Sequence, residues 1–264
     1  MNYDVIIIGA GPGGIFSAYE LSKLCPNLKI GLFELGKSLE NRKCPINDGT
    51  VKNCVNCGAC SIMSGFGGAG AFSDGKYKIK KIDNGYLIIT DKGEFNCKKL
   101  IVSVGRSGSS WMEKICNELG LQSKSNRVDI GVRVELPAEI FSHITNELYE
   151  GKIVYRTDKF EDNVRTFCMN PNGIVVNENT DGIKTVNGHS FEDPSKKTKY
   201  TNFALLVSQS FSEPFKDGNE YAQSIAKLSN MLGGGVIVQR FGDLMHGKRS
   251  TTKRINECFV TPTL

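Results

Sequence analysis

Residues 3–34, YDVIIIGAGPGGIFSAYELSKLCPNLKIGLFE, restrict the fold of this chain more than any other stretch. Residues 5–8 (VIII) form a short β-branched run of the kind that makes a parallel strand buried on both faces. The run leads directly into Gly9-Ala10-Gly11-Pro12-Gly13-Gly14, a G-x-G-x-x-G. A helical pattern follows over 13–24, with Ile15, Ala18, Leu21 and Leu24 at helical spacing and Pro26 beyond its end. A second apolar run, 29–33, closes on Glu34, twenty residues after Gly14. Each position has a mechanical reason. Gly9 allows a tight strand-to-helix turn, Gly11 lets the backbone approach a pyrophosphate, and Gly14 lets the helix lie close on the strand. Pro12 suits the first helical turn, whose amides and dipole face the anion. Glu34, ending the second strand, can accept hydrogen bonds from a ribose. A glycine-rich turn without a ligand would not need the acid at this distance.

The rest of the chain sets bounds on the function. Hydrophobic residues make up 39% and charged residues 23%, the balance of a packed globular protein. Glycine, at 29 of 264 residues, is well above its usual share of about 7%. The net charge of +5 is mild, and the basic spots 76–81 (KYKIKK) and 196–199 (KKTK) do not alternate with aromatics, which argues against nucleic-acid binding. No apolar run reaches the length of roughly 20 residues needed to span a bilayer. The strand begins within a few residues of Met1 without a basic leader, and the nine cysteines are an odd number, so a reduced, cytoplasmic protein is expected, with no membrane association.

Two domains are expected, 1–122 and 123–264, divided by the polar stretch 122–127 (QSKSNR). In the first, an aperiodic segment rich in Cys, Gly and Ser runs from 36 to 77. A β-meander then follows over 77–82, 86–90 and 94–104, with Asp83-Asn84-Gly85 and Asp91-Lys92-Gly93 as its turns. After Gly105 a helix is predicted with a capping box from Ser110 to Glu113. The second domain reads as mixed α+β. Strands are predicted at 128–136, 152–155, 164–169, 173–176, 203–210 and 235–239, and helices at 137–149 and 219–232.

Four cysteines, Cys44, Cys54, Cys57 and Cys60, have the spacing C-x9-C-x2-C-x2-C, a density that suits zinc or an iron–sulfur cluster. The alternatives are a reduced loop or a redox-active dithiol. Cys168, in a predicted strand, has the character of a small buried residue more than that of a nucleophile. His189 falls on a predicted turn at Asn187-Gly188, where a polar side chain can face a small-molecule substrate. His143 and His246 read as ordinary helix and surface residues. No Ser/His/Asp or paired-carboxylate arrangement points to hydrolysis.

Several segments carry a resemblance: YDVIIIGAGPGGI, RKCP, CVNCGACSI, GFGGAGAFSDGK and LIVSVGRSG in the first half, and VDIGVRVELP, VRTFCMNPNGIVV, VNGHS, TNFALLVS and GGGVIVQRFGDL in the second. Together they resemble the bacterial NAD(P)/FAD-dependent oxidoreductases, or FAD-dependent dehydrogenases, of the glutathione-reductase-like two-dinucleotide-binding plan. The resemblance implies an α/β fold: a Rossmann-type FAD-binding domain with a β-meander, plus a second mixed α+β domain that covers the substrate side. It implies that Gly9, Gly11, Pro12, Gly13, Gly14 and Glu34 hold FAD, that Arg42 faces the diphosphate, and that Gly67, Gly68, Ser73 and Gly105 lie along the cofactor. The flavin would exchange a hydride or electrons with an unknown substrate. A nicotinamide, NAD(P)H, would fit the plan, although no second G-x-G-x-x-G marks its site. The chain departs from the family in two ways: Lys76 leads straight into the meander, where members carry a further helix and strand, and it stops at Leu264 before their return to the FAD domain. A shortened or partial member is therefore expected. A non-catalytic paralogue and a metal–thiolate electron-transfer module are the alternatives.

Overall fold

A computed structural model describes residues 1–264 apart from 46–49, 52–54, 56, 68–77, 91, 106–107, 149, 192, 213 and 215–216, and gives the backbone alone at 78–80. The fold is mixed α/β with several sheets, in two compact units: residues 1–123 with 179–182, and residues 124–178 with 183–264.

The first unit is built on a five-stranded sheet of order β2-β1-β5-β4-β3. β1 (Asn2–Ile8) lies parallel to both β2 (Ile30–Phe33) and β5 (Gly93–Val102). β3 (Lys78–Ile82), β4 (Gly85–Thr90) and β5 are antiparallel and form the meander. The unbroken apolar run of β1 has a direct cause. Ile6 and Ile8 pack with Ile88, Cys97 and two residues of α2 (Ser109–Glu118), Trp111 and Ile115. Ile7, pointing the other way along the pleat, lies under Gly14 of α1 (Pro12–Leu24). All three isoleucines are 0% exposed, and each contributes about 1.5–3 kcal/mol by leaving water. Tyr3, Phe33 and Phe95 pack against this core, with centroids 5.0 Å apart for Phe33 and Phe95.

The capping box expected at Ser110 does not form. The N-cap of α2 lies two residues earlier, at Gly108, and makes no side-chain cap.

In the second unit, β6 (Val128–Pro137), β11 (Tyr200–Gln209), β8 (Asn163–Asn170) and β7 (Val154–Arg156) make an antiparallel sheet in that order. β6 and β11 pair over ten residues, from Tyr200 opposite Pro137 to Gln209 opposite Val128. β9 (Ile174–Thr180) and β10 (Ile183–His189) make a separate hairpin. α3 (Ala138–Thr145) follows β6, and α4 (Gly218–Gly233), α5 (Phe241–Met245) and α6 (Thr252–Asn256) follow β11.

Three expectations are corrected here. The helix predicted at 137–149 is shorter and starts after Pro137, which serves as its N-cap. Residues 235–239 are not a strand: Gly234 ends α4 in the left-handed conformation and Ile237 turns back onto Gly233, so the apolar run packs on the helix end. β10 was hidden by its polar sequence IKTVNGH. The true turn is Asp181-Gly182, both at positive φ (51° and 80°) as a two-residue hairpin loop requires. His189 is therefore the last strand residue and not a turn residue.

Among the described residues no helix is long and apolar enough to cross a membrane. The eight cysteines among the described residues are free thiols.

Candidate functional site

The first candidate site is the C-terminal edge of β1. Gly9 takes φ +98°, and a side chain on it would come within 2.2 Å of the Ser103 carbonyl. A Cβ on Gly14 would lie 1.8 Å from the Gly9 carbonyl. Both positions are closed to every other residue by backbone atoms, so they fix the loop tightly against α1. A Cβ on Gly13 would meet the Ser103 hydroxyl at 2.6 Å. Ser103, whose amide donates to the Ile8 carbonyl at 2.8 Å, thus supports the loop from below. Sequence reasoning passed over Ser103, and only its place just past β5, beside β1, could have signalled it.

α1 starts from Gly11 with no side-chain cap and no acid in its first turn, and Pro12 and Gly13 face solvent. The positive end of the helix is thereby left to an outside anion. Glu34 points back at the same loop. One carboxylate oxygen accepts the Ala10 amide at 2.8 Å and the other accepts the Gly36 amide at 2.9 Å. Each oxygen keeps lone pairs for a further donor.

A second loop leans on this edge. The Gly67 amide donates to the Ala10 carbonyl at 2.8 Å, and the Phe66 amide donates to Lys37. Arg42 is committed to that loop: Nε donates to the Ser61 carbonyl at 3.0 Å, Nη2 to Ile62 at 2.9 Å and Nη1 to Phe66 at 3.2 Å. Its guanidinium thus shapes residues 61–66. Gly105 accepts from the Gly108 amide at 2.9 Å just before α2. Gly68, Ser73 and Cys54 lie outside the described residues. Cys44 and Cys60 are half-buried and Cys57 is exposed. Among the described residues no group of three or more His, Cys, Asp or Glu side chains could hold a metal ion, so neither zinc nor an iron–sulfur cluster finds support.

These residues fit a dinucleotide. The loop has room for nothing larger than glycine at Gly9 and Gly14, the helix start has no competing cap, and the acid is placed on the same loop.

The second candidate site is a polar cluster between the sheet and the hairpin of the second unit. Its cause is a β-bulge. Ala204 pairs with Phe167 and Asn202 with Asn170, so Cys168 and Met169 together face Phe203. Cys168 takes φ +47°, a conformation that costs a non-glycine residue about 1 kcal/mol or more. Its amide donates to Glu150 at 2.9 Å. The Lys152 ammonium bonded to Glu150 is the main cause holding that carboxyl below the usual range. The Cys168 carbonyl accepts from Asn170 Nδ2 at 2.7 Å and from Arg133 Nη1 at 3.2 Å. Arg133 also donates to Asn202 Oδ1 at 2.7 Å and to Asn187 Oδ1 at 3.1 Å, and Asn187 Nδ2 donates to Glu178 at 2.7 Å.

Gly188 seals this cluster. A Cβ there would fall 2.0 Å from Asn170 Nδ2 and 2.4 Å from Arg133 Nη1. Beside it opens a cleft of about 630 Å³ lined by His189, Ser190, Phe191, Asp193, Pro194 and Lys196. Ser190 joins cleft to cluster through a 3.2 Å bond to Asn170 Oδ1. His189 faces the cleft, edge-on to Phe191 at 5.2 Å. Cys168 and His189 both belong to this region, while Arg133, Asn170, Asn187 and Asn202 escaped notice in the sequence. A charged residue in the apolar strand VDIGVRVELP was the available signal for Arg133.

Comparison with known proteins places the chain. A family described as FAD-dependent protein, C-terminal domain-like, matches residues 127–263. A protein of Clostridium beijerinckii described as uncharacterized is 24% identical over 328 aligned residues, covering 93% of this chain and 60% of that one. This chain thus spans about three-fifths of that relative. The aligned stretch is longer than the 264 residues here, so the relative carries internal segments without counterpart in this chain. Since the family match covers just over half of its length, the chain belongs to the FAD-dependent protein, C-terminal domain-like family.

Proposed function

We propose that the chain is an FAD-dependent oxidoreductase whose first unit is a Rossmann-type FAD-binding domain. The supporting observation is the edge of β1: a glycine loop closed to side chains at Gly9 and Gly14, an uncapped helix start, and Glu34 on the same loop. In this reading the Gly13 and Gly14 amides hold the pyrophosphate and Glu34 accepts the adenosine ribose hydroxyls. Gly67 keeps its loop against Ala10, and Gly105 lies at the strand end nearby. Arg42 supports the cofactor indirectly, by fixing 61–66. Bound flavin supplies hydride or electron transfer, and the protein supplies position and electrostatics. The electrons would pass to or from a small molecule, with NAD(P)H as the candidate reductant.

The test is FAD titration of the purified chain, followed by flavin fluorescence. Saturable quenching is expected, and Glu34→Gln should weaken it about ten- to a hundredfold, the cost of losing a charged acceptor. A folded wild-type chain that ignores FAD would sink the proposal. A second reading, a paralogue that binds the nucleotide without turnover, is favoured by the internal segments present in the Clostridium protein and absent here. Under that reading the FAD-loaded chain would oxidise neither NADH nor NADPH with an artificial electron acceptor present.

A further inference from the structure

The loop that leans on the edge of β1 is preceded by two thiols that the cofactor reading leaves unused. Cys57 and Cys60 are separated by Gly58 and Ala59, the C-x2-C spacing in which one thiolate attacks a disulfide and the other resolves it. Their settings differ: Cys57 is exposed and Cys60 is half-buried. Cys60 leads into a fixed stretch. Its carbonyl accepts the Ser64 amide at 2.7 Å, and Ser61, Met63 and Ser64 are buried. Arg42 holds the Ser61, Ile62 and Phe66 carbonyls. Ahead of Cys60 the chain bends at Gly58 and Ala59 and belongs to no helix or strand. Among the described residues a Cβ on Gly58 would meet nothing within 4 Å, so the turn stands open to an incoming molecule.

Packing does not account for this pair. A cysteine kept for its apolar bulk is buried, as Cys97 is, whereas Cys57 stays exposed. No third ligand that would make the pair a metal site is found among the described residues. We propose that Cys57 and Cys60 form a thiol–disulfide exchange site for small disulfides, with Cys57 attacking and Cys60 resolving. The exposed Cys57 thiolate attacks one sulfur of a disulfide RS–SR. The Cys57–SR bond forms, the S–S bond breaks, and the departing RS⁻ takes up the proton that Cys57 has lost. The Cys60 thiolate then attacks the Cys57 sulfur and expels the second RS⁻, which leaves as RSH with the Cys60 proton. One disulfide is reduced to two thiols, the two cysteines are oxidised to one disulfide, and no other electron carrier is needed. The three-residue separation makes the second step intramolecular, which favours ring closure over attack by another free thiol. Closure at this turn parts no helix or sheet hydrogen bond. The assignment concerns these two thiols alone and stands whether or not FAD binds.

The test is incubation of the whole chain in graded ratios of reduced and oxidised glutathione, followed by an acid quench, N-ethylmaleimide and trypsin. Residues 53–76 form one tryptic peptide that carries Cys54, Cys57 and Cys60. After oxidation this peptide should lack two hydrogens and carry N-ethylmaleimide on Cys54 alone. Cys60→Ser should stop at the first step and accumulate glutathione on Cys57. Cys57→Ser should slow the oxidation of Cys60 by at least about tenfold, because the exposed attacking thiol is gone. Thiols that stay reduced in oxidised glutathione alone, a wild-type chain that keeps glutathione on Cys57 without closing the ring, or a bridge from Cys57 to Cys54 or Cys44 would each overturn the proposal.

Discussion

Cysteine 97 and glycine 188 show how far single residues are governed by neighbours distant in the chain. Cys97 lies in β5 with 4% of its surface exposed, packed in the core with Ile6 and Ile8. Burial pushes its thiol above the usual range, so the reactive thiolate is suppressed. Cys25 and Cys57 are exposed. Alkylation of the native protein with iodoacetamide, followed by peptide mass spectrometry, should label Cys25 and Cys57 early and Cys97 only on unfolding. Labelling of Cys97 as fast as Cys25 would contradict the packing described. At this scale the sequence was readable where the backbone itself imposes a residue. Gly9 and Gly14 were identified from spacing because their roles are steric and local. Gly188 was not, because its need for hydrogen comes from Asn170, Asn202 and Arg133, which lie 14 to 55 positions away.

Elements were legible in proportion to how completely their surroundings were implied by pattern. Residues 5–8 of β1 are apolar because helices cover both faces, and the meander turns at Gly85 and Gly93 adopt positive φ, which glycine tolerates. The run 235–239 has a strand's composition and yet no partner strand. Downstream of it, α5 and α6 are held by a buried carboxylate. Asp243, 3% exposed, accepts from Ser250 at 2.8 Å and from Arg254, with Arg240 at 3.9 Å. The Ser250 hydroxyl bond, ahead of the Arg254 and Arg240 charges, holds its carboxyl below the ordinary aspartate value of 3.8. A depressed folded-state value means that the ionised form favours the fold. This stabilisation is fully present above 3.8 and is lost as the pH falls further. Asp243→Asn should therefore lower the urea midpoint at neutral pH and flatten its decline below pH 3.8. Circular dichroism across pH checks both, and parallel acid profiles for variant and wild type would refute the role given to Asp243.

At the scale of the whole molecule, residues 121–127 are exposed and free of regular structure between two compact units. Limited trypsin digestion should cut first at Lys124 or Arg127, where the backbone can enter a protease cleft without breaking a sheet. Two fragments near the division at 123 are expected on a gel and by intact mass. First cuts inside β6, β8 or β11 would show that the units are not the compact bodies described here. The sequence by itself determined the strand–glycine–helix turn, the acid at Glu34, the meander and the polar divide. Each of these is written in local sterics and short periods, which a chain carries residue by residue. Only the tertiary structure decided that Ser103 supports Gly9 and Gly13, that Arg42 is spent on carbonyls, that 235–239 folds onto a helix, and that Arg133, Asn170, Asn187 and Asn202 converge under Gly188. The reason is physical. Which polar side chains meet is set by strand register and a single bulge at Cys168, and neither leaves a local signature in the sequence.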